Sequence, residues 1–153
     1  EFLGQDSLSI QELSPFSLAV YHENNDDFYL RAPAGLDEDS GAVIFAGNIE
    51  QGAQVRFTEM GRDEIAAAAR TSAEQARQAF PGNSPDAVLA FSCTSRRQIL
   101  GSRTNEEPAH LREIFPGVPF SGFYTYGELC PFGQNSASQF HNGTFVTCCL
   151  GQA

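Results

Sequence analysis

Lysine and tryptophan are absent from these 153 residues, and methionine occurs once. No run approaches the roughly 18 apolar residues that a membrane-spanning helix needs, so none is expected. The strong cations are nine arginines against nineteen acidic side chains, a net charge of -10. That balance argues against a sequence-blind attraction to nucleic acid or to an anionic membrane, and neither is expected as a partner. Neither G-x-x-x-x-G-K nor G-x-G-x-x-G occurs, so nucleotide chemistry has no written support. C-x-x-C is missing too: Cys93, Cys130, Cys148 and Cys149 read as free thiols. A zinc site from Cys93, Cys130 and His141 has no spacing in its favour. No cofactor is expected. The first residues are neither basic nor apolar enough for a signal peptide, so the expected location is cytoplasmic.

What is present suits one domain. At 41% hydrophobic residues, the chain can fill a single core. Its opening, Glu1 to Gly4, reads as the end of a helix, as in a domain cut from something longer. Ser7 or Ser9 caps a short helix with Leu8, Ile10 and Leu13 that Ser14-Pro15 stops. Phe16 to His22 and Phe28 to Ala32 flank the polar cluster 23–26 as a hairpin. Beyond an acidic loop, 36–41, read as a solvated turn, a second hairpin is expected from Ala42 to Ile49 and Gln54 to Met60. Arg62 to Phe80 is the clearest helix, with Asp63 and Glu64 at its positive end and an alanine-rich stripe for packing. Ala87 to Phe91, apolar without alternation, reads as a central strand covered on both faces. A helical region over Arg96 to Phe115 breaks near Gly101 and restarts at a capping box, Thr104 to Glu107. Two strands follow, Pro119 to Pro131 and Thr144 to Leu150. The predicted class is α+β: a mainly antiparallel, mixed sheet of about six to seven strands with two to three helices packed on it.

Two spots carry chemistry. In an unbroken strand, Tyr124, Tyr126 and Glu128 share one face while Phe123, Thr125 and Leu129 take the other. A carboxylate among aromatic rings must meet a cation, several donors or water. A ligand ammonium is one such cation; an ordinary core strand with Glu128 turned to solvent is the plainer alternative. Gly122 and Gly127 remove side chains beside this row and allow close approach. The second spot is Phe91-Ser-Cys-Thr-Ser-Arg-Arg-Gln98, where Ser95 and Gln98 match a capping box, and the first-turn amides with Arg96 or Arg97 offer an anion grip. Solvent-exposed arginines beyond a simple cap are the alternative. Together, a grip for each sign of charge suits a zwitterion. Asn142-Gly143-Thr144 reads as a turn and not as a glycosylation acceptor.

In order, Phe91-Ser-Cys-Thr-Ser-Arg96, Gly122-Phe-Tyr-Thr-Tyr-Gly-Glu128 and Phe140-His-Asn-Gly-Thr144 resemble the motifs of the FIST domain, specifically its C-terminal part. The likeness covers nearly the whole chain and implies one FIST C-type domain over residues 1–153, without the N-terminal half the family normally has. It also implies a sensory module of signal-transduction proteins that binds a small molecule such as an amino acid and works with a signalling output domain or protein partner. The ligand-binding positions so implied are Cys93, Arg96, Tyr124, Tyr126, Gly127, Glu128, His141 and Asn142. Cys130, Ser95 and Gly143 depart from the family's usual residues. Two other classes compete: a protein-interaction scaffold of the F-box-associated type, and a thiol enzyme in which Cys93 is activated by His110 or His141. No catalytic motif surrounds Cys93, and the expectation is a protein that is not an enzyme.

Overall fold

The computed structural model describes residues 9–22, 28–131 and 137–152. Expectations for residues 1–4, Ser7, Leu8 and the turn at 23–26 lie outside them. The first element, α1 (Ile10–Leu13), is capped by Ser9. Its hydroxyl accepts from the Glu12 amide at 3.3 Å while the Glu12 carboxylate accepts from the Ser9 amide at 2.8 Å, a reciprocal capping box.

The strands β1 (Phe16–Tyr21) and β2 (Phe28–Arg31) pair antiparallel, with Leu18 opposite Arg31. The second expected hairpin is not formed. Instead β3 (Pro33–Asp37) pairs with β4 (Ala42–Phe45), and the acidic loop is the turn between them. Asp37 accepts from the Ser40 hydroxyl at 2.6 Å and the Asp39 amide at 3.2 Å, and Gly41 takes the left-handed backbone that closes the turn, φ 69°. This leaves β5 (Val55–Glu59) to pair with β1, Phe16 opposite Glu59.

The long helix α2 (Arg62–Ala79) buries Ile65, Ala66, Ala69 and Ala73. Then come β6 (Ala87–Cys93), α3 (Thr94–Leu100), a single 3-10 turn (Gly101–Arg103), α4 (Glu106–Ile114), β7 (Phe120–Thr125), β8 (Glu128–Pro131), β9 (Ser138–His141) and β10 (Phe145–Leu150). Strand β6 is central in the order β10-β6-β7, antiparallel to β10 and parallel to β7, while β8 and β9 form a separate antiparallel pair. The architecture is α+β, with ten strands in four sheets among the described residues, antiparallel except for β6 with β7.

The crossover through α3 and α4 is what allows β6 and β7 to run the same way. Gly122 stands opposite Ala90 in that pair, and a Cβ on it would lie 1.9 Å from the Ala90 carbonyl oxygen. Val88 and Ala90 face the helices and pack with Ala73, Leu111, Ile114 and Phe115 as the main core. Burial along β6 alternates. The expected cover on both faces is therefore found on one face alone, because both long helices lie on the same side.

Candidate functional site

The carboxyl ends of β6 and β7 reach the same edge, the place where open α/β sheets bind ligands. Arg96, in the first turn of α3, turns inward there and is 2% exposed. Its Nε donates to Glu107 Oε1 at 2.9 Å, and Nη2 lies 2.8 Å from the same oxygen. Nη2 also donates to the Ile65 carbonyl at 2.7 Å and Nη1 to the Gly143 carbonyl at 3.4 Å. Glu107, 3% exposed, takes a further bond from the Ser92 hydroxyl at 3.0 Å. A guanidinium at a helix N-terminus opposes the helix dipole; the buried carboxylate of α4 answers it.

Glu128 is the second buried carboxylate, 4% exposed. The Thr125 hydroxyl donates to one of its oxygens and the Thr144 hydroxyl to the other, the latter at 2.7 Å. Burial pushes this carboxyl above the ordinary range; the bonds from Thr125 and Thr144 and the charge of Arg96 pull it part of the way back. Among the described residues no cation lies at ion-pair distance from Glu128.

The aromatic row expected beside Glu128 is not formed, because the chain bends at Tyr126 and Gly127 between β7 and β8. The bend places Thr125 and Glu128 together and turns Tyr126 outward, 86% exposed. Tyr124 is in register with Ser92, on the helix side, and Arg97 stacks over its ring at 5.4 Å. A Cβ on Gly127 would lie 2.2 Å from the Phe140 ring, so the ring packs into the space that glycine leaves. Asn142, fully buried, pins the bend by donating from Nδ2 to the Tyr126 carbonyl at 3.1 Å, and its amide donates to the Leu30 carbonyl at 3.3 Å. His141 is fully buried beside it, with Nε2 3.2 Å from the Cys130 carbonyl oxygen. Burial lowers its pKa, and Arg31 and His22 add to this; the Cys130 carbonyl opposes it.

The expected cap at Ser95 is also replaced. Helix α3 starts at Thr94 with Cys93 as its N-cap, and the Ser95 hydroxyl donates to the Cys93 sulfur at 3.2 Å. Cys93 is 2% exposed, and its amide donates to the Thr144 carbonyl at 3.0 Å. The capping box at Thr104 is absent as well: α4 is capped by Asn105 without a side-chain bond, since Glu107 points to Arg96. Cys93, Arg96 and Glu128 thus converge on the residues Gly143 and Thr144, Tyr124 and Arg97 form an outer edge, and His141 and Asn142 brace the bend. Sequence reasoning missed Glu107, Ser92, Thr125 and Thr144. Glu107 had a signal, being one helical repeat ahead of the buried Leu111 and Ile114. No group of three His, Cys, Asp or Glu side chains among the described residues is placed to hold a metal.

The chain belongs to a known family. The family model of the FIST C domain matches residues 1–131, and the chain is a member of that family, a domain associated with signal transduction. It is 31% identical over 113 residues to an uncharacterized protein of Mycobacterium tuberculosis, a match covering 72% of this chain and 29% of the relative. An uncharacterized protein of Mycobacterium bovis is 26% identical over 115 residues, covering 74% of this chain and 30% of the relative. The chain therefore spans less than a third of the length of these relatives. No solved structure matches it. No helix among the described residues is long and apolar enough to cross a membrane.

Proposed function

We propose that this chain is a small-molecule-binding sensory domain of a signal-transduction protein, binding its guest without transforming it. The observation that carries the reading is Glu128: a carboxylate 4% exposed, held by two hydroxyls. A guest ammonium completes its charge, at the carboxyl ends of the parallel pair β6 and β7. The class of guest that suits the edge is an amino acid or similar zwitterion. Its carboxylate meets Arg97, which is exposed and stacked on Tyr124, because the Arg96 guanidinium already serves Glu107 and two carbonyls. Cys93, buried beneath Ser95, fits a packing role better than that of a nucleophile. A cytoplasmic signalling partner for the domain is part of this proposal.

Thermal unfolding across a panel of amino acids, amines and carboxylic acids tests it. A guest that prefers the folded state raises the melting temperature saturably by mass action; a flat response to every compound refutes the reading. The exposed Phe123, Tyr126 and Leu129 favour the scaffold alternative, in which an aromatic surface meets a protein partner and no small molecule shifts the transition.

A further inference from the structure

The second face of the sheet β10-β6-β7 is covered at its Cys93 end, where Glu128 of β8 meets Thr125 and Thr144, and beyond that end it is exposed at Phe123, Cys148 and Leu150. Leu89 and Phe91 of β6 point away from α2 and α4, since their neighbours Val88 and Ala90 pack on those helices. In register with them stand Ser121 and Phe123 of β7 and Cys148 and Val146 of β10, with Leu150 opposite Ala87. Phe123, Cys148 and Leu150 are exposed, and the Phe91 and Phe123 rings meet edge to face at 5.2 Å. Apart from Glu128 at the covered end, none of the residues in register on this face is charged, in a protein of net charge -10. A sheet with a parallel pair is ordinarily covered on both sides.

The size of the face selects its occupant. Three strands about 4.8 Å apart and six residues long at about 3.3 Å each give a footprint of roughly 300 Å². Even doubled for side-chain relief, that is below the roughly 800 Å² per partner of a stable free association. A second copy or a diffusing partner would be held weakly. A layer joined in the same polypeptide needs far less area, because its effective concentration reaches the millimolar range. The mycobacterial relatives have the polypeptide for it, as the matched chain is 29% and 30% of their length. We propose that in such longer FIST proteins the exposed part of this face of β10-β6-β7 seats a further layer of the same chain through an apolar face of its own. The inference is independent of the ligand reading.

Cys148 is a natural probe, exposed in register with Leu89, whereas Cys93 is buried and Cys130 and Cys149 are half-buried. The isolated chain is compared with a chimera in which it replaces the matched segment of the Mycobacterium tuberculosis relative, reading alkylation of Cys148 by mass spectrometry. The isolated chain should be monomeric in sedimentation and label Cys148 at the rate of a free thiol. The chimera should label it at least roughly tenfold more slowly, the protection given by about 1.4 kcal/mol of closure. Phe123→Glu, at a side chain 65% exposed, should leave the isolated chain folded and restore fast labelling in the chimera. Equal rates in the two proteins overturn the proposal. So does an isolated chain that self-associates and protects Cys148 by itself, which makes a second copy the occupant. If circular dichroism shows the chimera misfolded, the isolated chain decides: a monomer whose binding of a hydrophobic dye is lost in Phe123→Glu supports the proposal, and a self-protected dimer ends it.

Discussion

Arg96 and Glu128 are tied together through two consecutive residues: Arg96 donates to the Gly143 carbonyl and Glu128 accepts from the Thr144 hydroxyl. Gly143 makes this possible by adopting φ 72°, a backbone that side-chain-bearing residues rarely take. A change at either charge is therefore felt by the other through the shared peptide and through the field of Arg96 on the Glu128 carboxyl. The same turn accepts the Cys93 amide, so the end of β6, the start of α3 and the β8 carboxylate are registered by a single short segment.

The buried pair Arg96 and Glu107 makes the first prediction one of stability. Arg96→Ala leaves Glu107 as an uncompensated buried charge and should cost about 3–5 kcal/mol, whereas Arg96→Met with Glu107→Leu should cost much less than two single losses. Urea denaturation of Arg96→Ala, of the double variant and of its two single components checks this, and an Arg96→Ala protein as stable as the parent would show that the pair is not closed in solution.

Acid stability should carry two opposing signatures. Glu128 is raised in the folded protein, so its contribution is full below about 4.3 and is lost as pH rises through its folded value. His141 is lowered, so its contribution is full above about 6.5 and is lost as pH falls. In Glu128→Gln only the second survives: the variant should be the more stable protein at neutral pH, with the advantage vanishing toward pH of about 4. Melting temperatures across that range decide, and an advantage that grows on acidification contradicts the assignment.

Gly122 is predicted to be intolerant although it is an exposed residue. The Ala90 carbonyl occupies the place of its Cβ, so Gly122→Ala must push β7 off β6. The loss should reach or exceed the top of the roughly 1–3 kcal/mol typical of overpacking. Serine at Ala90, which faces the helices, provides a comparison at the opposing position. Denaturant midpoints for Gly122→Ala within error of the parent would show that the parallel register is wrong.

Much of the framework was legible in the sequence because local signals agreed with the fold. The β1–β2 pairing, the span of α2 and the central position of β6 follow from turn residues, helical spacing and an apolar run. The second hairpin was misplaced because Pro33 and Gly35 disguise β3, and the run from Ala42 stops pairing at Phe45. The bend at Tyr126 was hidden because alternation continues on paper through Gly127, while the Phe140 ring and Asn142, both far along the chain, enforce it. Arg96 was legible as a special residue but not as a buried one. Its partner, Glu107, reads locally as a helix cap, and only the α3–α4 crossover brings it under Ser92.

The ligand-binding account is tested most directly by calorimetric titration of the strongest amine or amino-acid hit into the parent chain and into Glu128→Gln. The account predicts a loss of about 2 kcal/mol or more in the variant, roughly thirtyfold or greater in affinity, as expected when one partner of a desolvated charge pair is removed. Equal affinity in the two proteins, with both folded, would contradict it.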